Sequence, residues 1–281
     1  MERITLWDGS AILDDDAPEE ALAAAVELNL VSRVRFFAAE PDVRLVDNDE
    51  SLRFITDRVY RVARACFEAT EADQRIAAYL SHARSRPRYI NWVVGPASRP
   101  ADLAQRLQAH NMAIDMEEPG MVASLSRLTP PRPTPYTDSL LLYRIFPGDI
   151  AEIRSFTDVA SAGFKRPINM GAQIQHLGRV LGPDNPYLDA MRMYLARVPS
   201  GDAVATAITF FGAGVVGLYT VATLPTYRRL GIGSALTYHA LMDAHADGMR
   251  TTVLHASELG QGMYARLGFR EICRITWLSG Y

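Results

Sequence analysis

The sequence predicts an α/β protein built as two domains, and three observations carry that reading. Short apolar runs alternate with stretches of helical periodicity along the chain. Val215–Leu224 runs through Pro225 into a Gly-x-Gly pair, Gly231 and Gly233, that opens a helix. Between the halves, Thr129–Thr137 (TPPRPTPYT) holds four prolines and almost no apolar anchor. That composition predicts a stiff extended linker, so the domains are placed at 1–128 and 138–281 with 129–137 between them.

In the first half, Asp16 with Pro18, Glu19 and Glu20 reads as an acidic helix start, and the Ala-rich stretch to Leu28 favours helix. Arg33–Phe37 and Val43–Val46 read as short strands, Ser51–Phe67 and Glu71–Ala83 as helices, and Tyr89–Val94 as a buried strand. Pro100–Ala109 follows as a helix and Met121–Leu125 as a strand. In the second half, Leu140–Phe146 reads as a strand, Asp149–Ala162 as a helix and Ile174–Leu181 as a looser helical stretch. Arg192–Val198 and Ala203–Phe211 are strands joined by a Pro199-Ser200-Gly201-Asp202 turn. After the Val215–Leu224 strand comes a helix to about Ala246, with Ile232, Ala235, Leu236, His239 and Met242 expected on one packed face. Thr251–Ala256 is a strand, Glu258–Leu267 a helix with Ser257 as its N-cap, and Gly268-Phe269 its stop before a last strand.

The most informative segment is Arg228-Arg229-Leu230-Gly231-Ile232-Gly233. Its glycines accept positive φ and leave room for a ligand, so several amide N–H groups can converge on one anion at the positive end of the following helix. A nucleotide P-loop would need Gly-Lys-Ser/Thr, which is missing. A dinucleotide fingerprint would need a third glycine where Leu236 stands. What remains, Pro225-x-x-Arg228-x-x-Gly231-x-Gly233-x-Ala235-Leu236, resembles the acyl-coenzyme A loop of the GNAT N-acetyltransferase superfamily. Downstream, Tyr264-Ala265-Arg266-Leu267-Gly268-Phe269 is similar to the Tyr-x-x-Leu-Gly-Phe close of many GNAT domains.

The resemblance implies the fold in more detail: α/β (α+β), two GNAT-like domains, each a mixed, mostly antiparallel twisted sheet flanked by helices. The first half echoes the second, with Leu107-x-x-His110-Asn111-Met112 lying over Tyr264-x-x-Leu267-Gly268-Phe269. Asn tolerates the left-handed conformation that a helix stop needs, but the tyrosine is missing and no Arg-x-x-Gly-x-Gly precedes residue 137. The first half is therefore expected to be a degenerate copy; an unrelated α/β extension is the alternative.

By the same resemblance, Arg228, Arg229, Leu230, Gly231, Ile232, Gly233 and Ser234 would hold the pyrophosphate of acetyl-CoA or another acyl-CoA. Val221, Ala222 and Thr223 would pair with its pantetheine amides, and Ser257 is added to the binding set. Tyr264 is the expected acid for the departing thiolate, since a phenol keeps its proton at pH 7; the alternative is plain groove packing. The fourth strand lacks the glutamate or histidine that many GNATs carry, which leaves His255 as the candidate base against an ordinary core role. Lys165 and Arg166, in the basic turn Gly163–Pro167, are expected to meet an anionic group of the acceptor, with a solvated surface turn as the alternative.

The expected activity is N-acylation of a small-molecule amine by direct attack in a ternary complex. Its rivals are an acyl group delivered on a carrier protein and a non-catalytic acyl-CoA-binding module. A net charge of −3 provides no broad basic field, so neither nucleic acid nor a membrane is an expected partner. Cys66 and Cys273 stand alone without zinc spacing, so no metal is expected. No apolar run reaches eighteen residues and the acidic start lacks a signal-peptide core, from which a cytoplasmic protein is expected.

Overall fold

The computed structural model describes residues 6–37, 43–85, 89–146, 149–164 and 190–280. These residues form two compact units that interleave in sequence. The N-terminal unit comprises Pro18–Met121, His255–Glu258 and Glu271–Tyr281; the C-terminal unit comprises Met1–Ala17, Val122–Leu254 and Leu259–Arg270. Each unit thus takes a segment from the far end of the chain, which no single boundary in sequence order can express. The expected linker, 129–137, lies inside the C-terminal unit.

The N-terminal unit begins with helix α1, Glu19–Phe37. Arg33–Phe37 is therefore helix, where a strand is expected from sequence. The reason is periodicity: Val26, Leu30 and Val34 are all buried and spaced by four, and the first proline after Pro18 is Pro41. Strands β1 (Arg44–Asp47), β2 (Ser51–Ile55) and β3 (Val59–Ala65) follow as an antiparallel meander. This replaces the helix expected over Ser51–Phe67. Thr56 makes the turn, its hydroxyl accepting from the N–H groups of Arg58 and Val59, and β-branched Val59 and Val62 suit the pleat.

Helix α2 (Ala72–Arg84) then crosses to β4 (Tyr89–Val94), which lies parallel to β3. Helix α3 (Leu103–Ala109) leads to β5 (Ala113–Ser124), a longer strand than expected because its first half is exposed and acidic. Ile76, Leu80, Trp92, Leu103 and Leu107 join Tyr60 and Val62 in one core. The final strand of the chain, β11 (Arg270–Gly280), pairs antiparallel with β4 from Thr276↔Val94 to Gly280↔Ile90. The unit's strand order is β1-β2-β3-β4-β11-β5.

In the C-terminal unit, β6 (Leu141–Ile145), β7 (Met191–Arg197), β8 (Ala203–Gly212) and β9 (Val215–Thr223) are successive antiparallel neighbours. Helix α4 (Ile150–Phe164) follows β6, and helix α5 (Ile232–Ala246) connects β9 to β10 (Thr251–His255), its parallel neighbour. The order is β10-β9-β8-β7-β6, a mixed, mostly antiparallel sheet. The helical stretch expected at Ile174–Leu181 lies outside the described residues.

Helix α5 buries Ile232, Leu236, Thr237, Ala240, Leu241 and Ala244, a face rotated from the expected one; Ala235 and Met242 are only partly buried. His239 meets Tyr194 edge-on at 6.1 Å. Tyr194 and Arg192 of β7 bind Asp243 near the helix C-terminus at 2.5 and 3.1 Å, pinning that end to the sheet. The first described residues brace the β8–β9 hairpin: Asp8 and Ser10 accept from the N–H groups of Ala213 and Gly214. No helix among the described residues is long and apolar enough to cross a membrane.

Candidate active site

Strand β9 pairs with β10 only through Val216, Gly217 and Leu218, and then continues to Thr223 without it. Thr220 sits at φ +50 where the β8–β9 register slips, Thr206 facing Ala222 while Ile208 faces Tyr219. This is a bulge, which bends one strand of a pair and increases its twist. The Leu224 N–H donates to the Val204 carbonyl, so by alternation Val221 and Thr223 turn their backbone groups away from β8.

Past the strand, a turn of 3-10 helix at Pro225–Tyr227 carries the chain to Arg228. The Arg228 guanidinium donates to two carbonyls, Thr223 at 3.1 Å through Nε and Gly163 of α4 at 2.6 Å through Nη2. It ties strand end, loop and α4 together. Arg229 is exposed at φ +61, and Gly231 enters α5 at φ +85 as its N-cap. No side chain caps the helix. Among the described residues nothing accepts from the N–H groups of Ile232, Gly233 or Ser234; the first bond of the helix is Ala235 N–H to the Gly231 carbonyl. Three aligned donors at the positive end of a helix can receive an anion.

Close packing holds this geometry. A Cβ on Gly163 would come within 2.7 Å of the Ala222 Cβ, and one on Gly233 within 3.2 Å of Thr223 Oγ1. Since Ala222 and Thr223 point to opposite faces, α4 and α5 cover the two sides of the same strand end. Two residues of the proline-rich stretch complete the brace: Thr134 Oγ1 donates to the Leu230 carbonyl, and a Cβ on Gly231 would lie 3.3 Å from Thr137 Cγ2. Sequence reasoning passed over Thr134 and Thr137, although Thr-x-x-Thr is the spacing at which a hydroxyl closes a turn, as it does here.

Tyr264 lies on helix α6 (Glu258–Leu267), is 7% exposed, and meets Phe269 edge-on at 5.7 Å. Burial raises its pKa above the ordinary tyrosine value, so the phenol carries its proton at neutral pH. Among the described residues its hydroxyl has no hydrogen-bond partner. The helix stops as expected: Gly268 is at φ +104 and the Phe269 N–H reaches back to the Tyr264 carbonyl at 3.0 Å.

Residues 190–271 match a family model described as an acetyltransferase (GNAT) domain. This region is a GNAT domain. Among solved structures the chain is similar to a GCN5-related N-acetyltransferase from Kribbella flavida, with 18% identity and TM-score 0.65 over 90% of this chain and 95% of that one. It is also similar to a tandem GNAT protein from the clavulanic acid biosynthesis pathway, with 16% identity and TM-score 0.59 over 96% and 97%. A GCN5-related N-acetyltransferase from Sphaerobacter thermophilus gives 16% identity and TM-score 0.54 over 96% and 94%. At these identities the likeness is one of fold. No curated protein matches the chain.

The expected binding residues Arg228–Ser234 and Val221–Thr223, and Tyr264, all lie in the C-terminal unit. His255 and Ser257 belong to the N-terminal unit. The His255 side chain is 8% exposed; its Nε2 donates to the Val26 carbonyl at 3.3 Å, and Nδ1 lies 3.9 Å from Glu118. Desolvation by burial pulls its pKa down to about 4, so the ring is neutral at pH 7. Ser257 is exposed just ahead of α6, and Glu258 is exposed in the first turn. Lys165 and Arg166 lie outside the described residues.

Proposed function

We propose that the chain is an acyl-CoA-dependent N-acyltransferase, with acetyl-CoA the first choice of donor and the amine of a small molecule as acceptor. The observation that carries this reading is the uncapped start of α5, with three amides unclaimed around Gly231 and Gly233. A diphosphate would take those donors, while Val221 and Thr223 present strand-edge groups to the pantetheine amides. Arg228 does not need to touch the ligand: it holds Thr223 and Gly163 in register, and exposed Arg229 adds charge at the rim.

In the chemical step the free amine attacks the thioester carbonyl, the C–S bond breaks, and the thiolate takes a proton. Tyr264 is the proposed source, and its buried phenol is protonated at working pH. An ammonium has no lone pair, so the amine must first lose a proton. A base with a pKa near 4 is poorly matched to that task, and the Val26 and Glu118 contacts favour a structural role for His255. The proton of the ammonium goes to solvent, and the second proton, lost by nitrogen as the amide forms, returns Tyr264 to its phenol form through solvent.

The depth of Tyr264 favours a second reading, an acyl-CoA-binding module in which the tyrosine only packs against Phe269. Calorimetry with CoA, followed by a thiol-release assay with acetyl-CoA and a panel of small amines, separates the two. The enzyme reading expects binding and release, with Tyr264→Phe lowering kcat by about a hundredfold or more at unchanged Tm. Binding without release for every amine supports the module, and no heat with CoA removes both.

A further inference from the structure

We propose that Arg61 anchors a binding site for a small organic carboxylate in the N-terminal unit. Arg61 lies on β3, two residues before Ala63, so the two side chains share one face of the strand. Ala63 packs with Val31 and Val34 of α1, which places Arg61 on the α1-facing side. Its Nε donates to Asn91 Oδ1 at 2.9 Å. Asn91 is 3% exposed and is itself fixed, its Nδ2 donating to the Leu278 carbonyl at 3.4 Å. The indole of Trp277 stands beside the guanidinium, 5.8 Å from ring centre to Cζ.

What the site lacks is a counter-charge. Among the described residues no carboxylate meets the Arg61 guanidinium. Two carboxylates of β5 are engaged elsewhere: Glu118 accepts from Trp277 Nε1 at 3.0 Å, and Asp115 accepts from the Tyr89 hydroxyl at 3.2 Å. Burial and the charge of Arg33 both push the Arg61 pKa below its ordinary value. An unpaired, poorly solvated guanidinium costs the fold free energy, and an anionic ligand would offset that cost.

The geometry specifies the ligand's chemistry. A guanidinium held at Nε presents its two Nη groups as a parallel pair of donors, and a planar carboxylate matches that fork with two bonds. The residue is partly exposed, so a ligand can reach it. The partly exposed Trp277 side chain beside the guanidinium offers apolar contact to the body of an organic acid.

Differential scanning fluorimetry of the full chain tests this, with cyclohexanecarboxylate, acetate and inorganic phosphate as probes at ionic strength held constant with chloride. Cyclohexanecarboxylate is expected to raise Tm saturably, and Arg61→Gln to weaken that response at least tenfold. Without ligand, Arg61→Gln is expected to melt no lower than wild type, since it removes an unpaired charge. A purely structural arginine predicts the reverse: a lower Tm in the variant and equal responses to the probe, either of which overturns the proposal. A response to phosphate alone overturns the carboxylate assignment. Trp277 fluorescence gives a readout independent of how the arginine variant folds. A probe-dependent change in wild type that disappears in Trp277→Phe supports the site, and its absence from wild type counts against it.

Discussion

Both units contain a strand, a helix and a parallel strand in succession, β3-α2-β4 in one and β9-α5-β10 in the other, and they differ where the helix begins. Neither helix start has a side-chain cap; in the C-terminal unit the chain enters α5 through Gly231 at φ +85, with Arg228 and Arg229 just ahead. In the N-terminal unit it enters α2 through Glu71 in an ordinary right-handed conformation. Carboxylates crowd that start: Glu71 pairs with Arg75, and Asp73, in the first turn, binds Arg106 and His110. Acids near a helix N-terminus satisfy its dipole and repel a phosphate. The same backbone step thus carries arginines ahead of one helix and carboxylates at the start of the other.

Gly233→Val should have the largest effect on this contrast. A branched side chain would push against Thr223 Oγ1 and fill the approach to the amides, and CoA affinity measured by calorimetry should fall at least a hundredfold. Glu71→Gly in the other unit should create no measurable CoA binding; heat from that variant at a second site would break the comparison.

The next effect concerns pH. The His255 pKa falls from an unfolded value near 6.5 to about 4 in the fold, so between those values the unfolded chain binds more protons. Stability from this group is complete above pH 6.5 and disappears as pH drops toward 4, a change of about 3 kcal/mol. His255→Gln should flatten that part of the stability curve in chemical denaturation. An unchanged slope would show that His255 is already solvated.

A smaller effect compares the two helix stops. Asn111 at φ +65 and Gly268 at φ +104 occupy matching positions, the Met112 N–H bonding the Leu107 carbonyl as Phe269 bonds Tyr264. Gly268→Ala should cost about 1 kcal/mol, while Asn111→Gly should change stability by only a few tenths, both by thermal melts. The smallest effect expected is from Thr134→Val, which removes the brace on Leu230 and should weaken CoA binding about threefold without altering kcat.

Much of the C-terminal unit is legible in the sequence because turn chemistry and periodicity agree there. Pro199–Asp202 closes one hairpin, Pro225 ends β9, and Gly231 and Gly268 start and stop helices as their backbone freedom requires. The N-terminal unit misleads where local signals compete. Ser51–Phe67 carries enough arginine and alanine to look helical, and only the turn at Thr56 and cross-strand pairing make it a hairpin. At the candidate site the helix start at Gly231 and the helix that carries Tyr264 could be read directly. The bulge at Thr220 could not, since nothing in a threonine announces positive φ, and neither could the engagement of Arg228 by two carbonyls.

The pairing of β11 with β4 has a consequence for biosynthesis. Residues 276–280 supply a hydrogen-bonded neighbour to β4, yet the ribosome adds them long after β4 itself has been made. Until then β4 shows a bare edge to any extended peptide in the cell, and a fragment ending at 128 would keep that edge permanently. Expression of the first half alone should therefore yield a sticky, chaperone-bound product, and supplying residues 270–280 as a separate peptide is the direct way to rescue it.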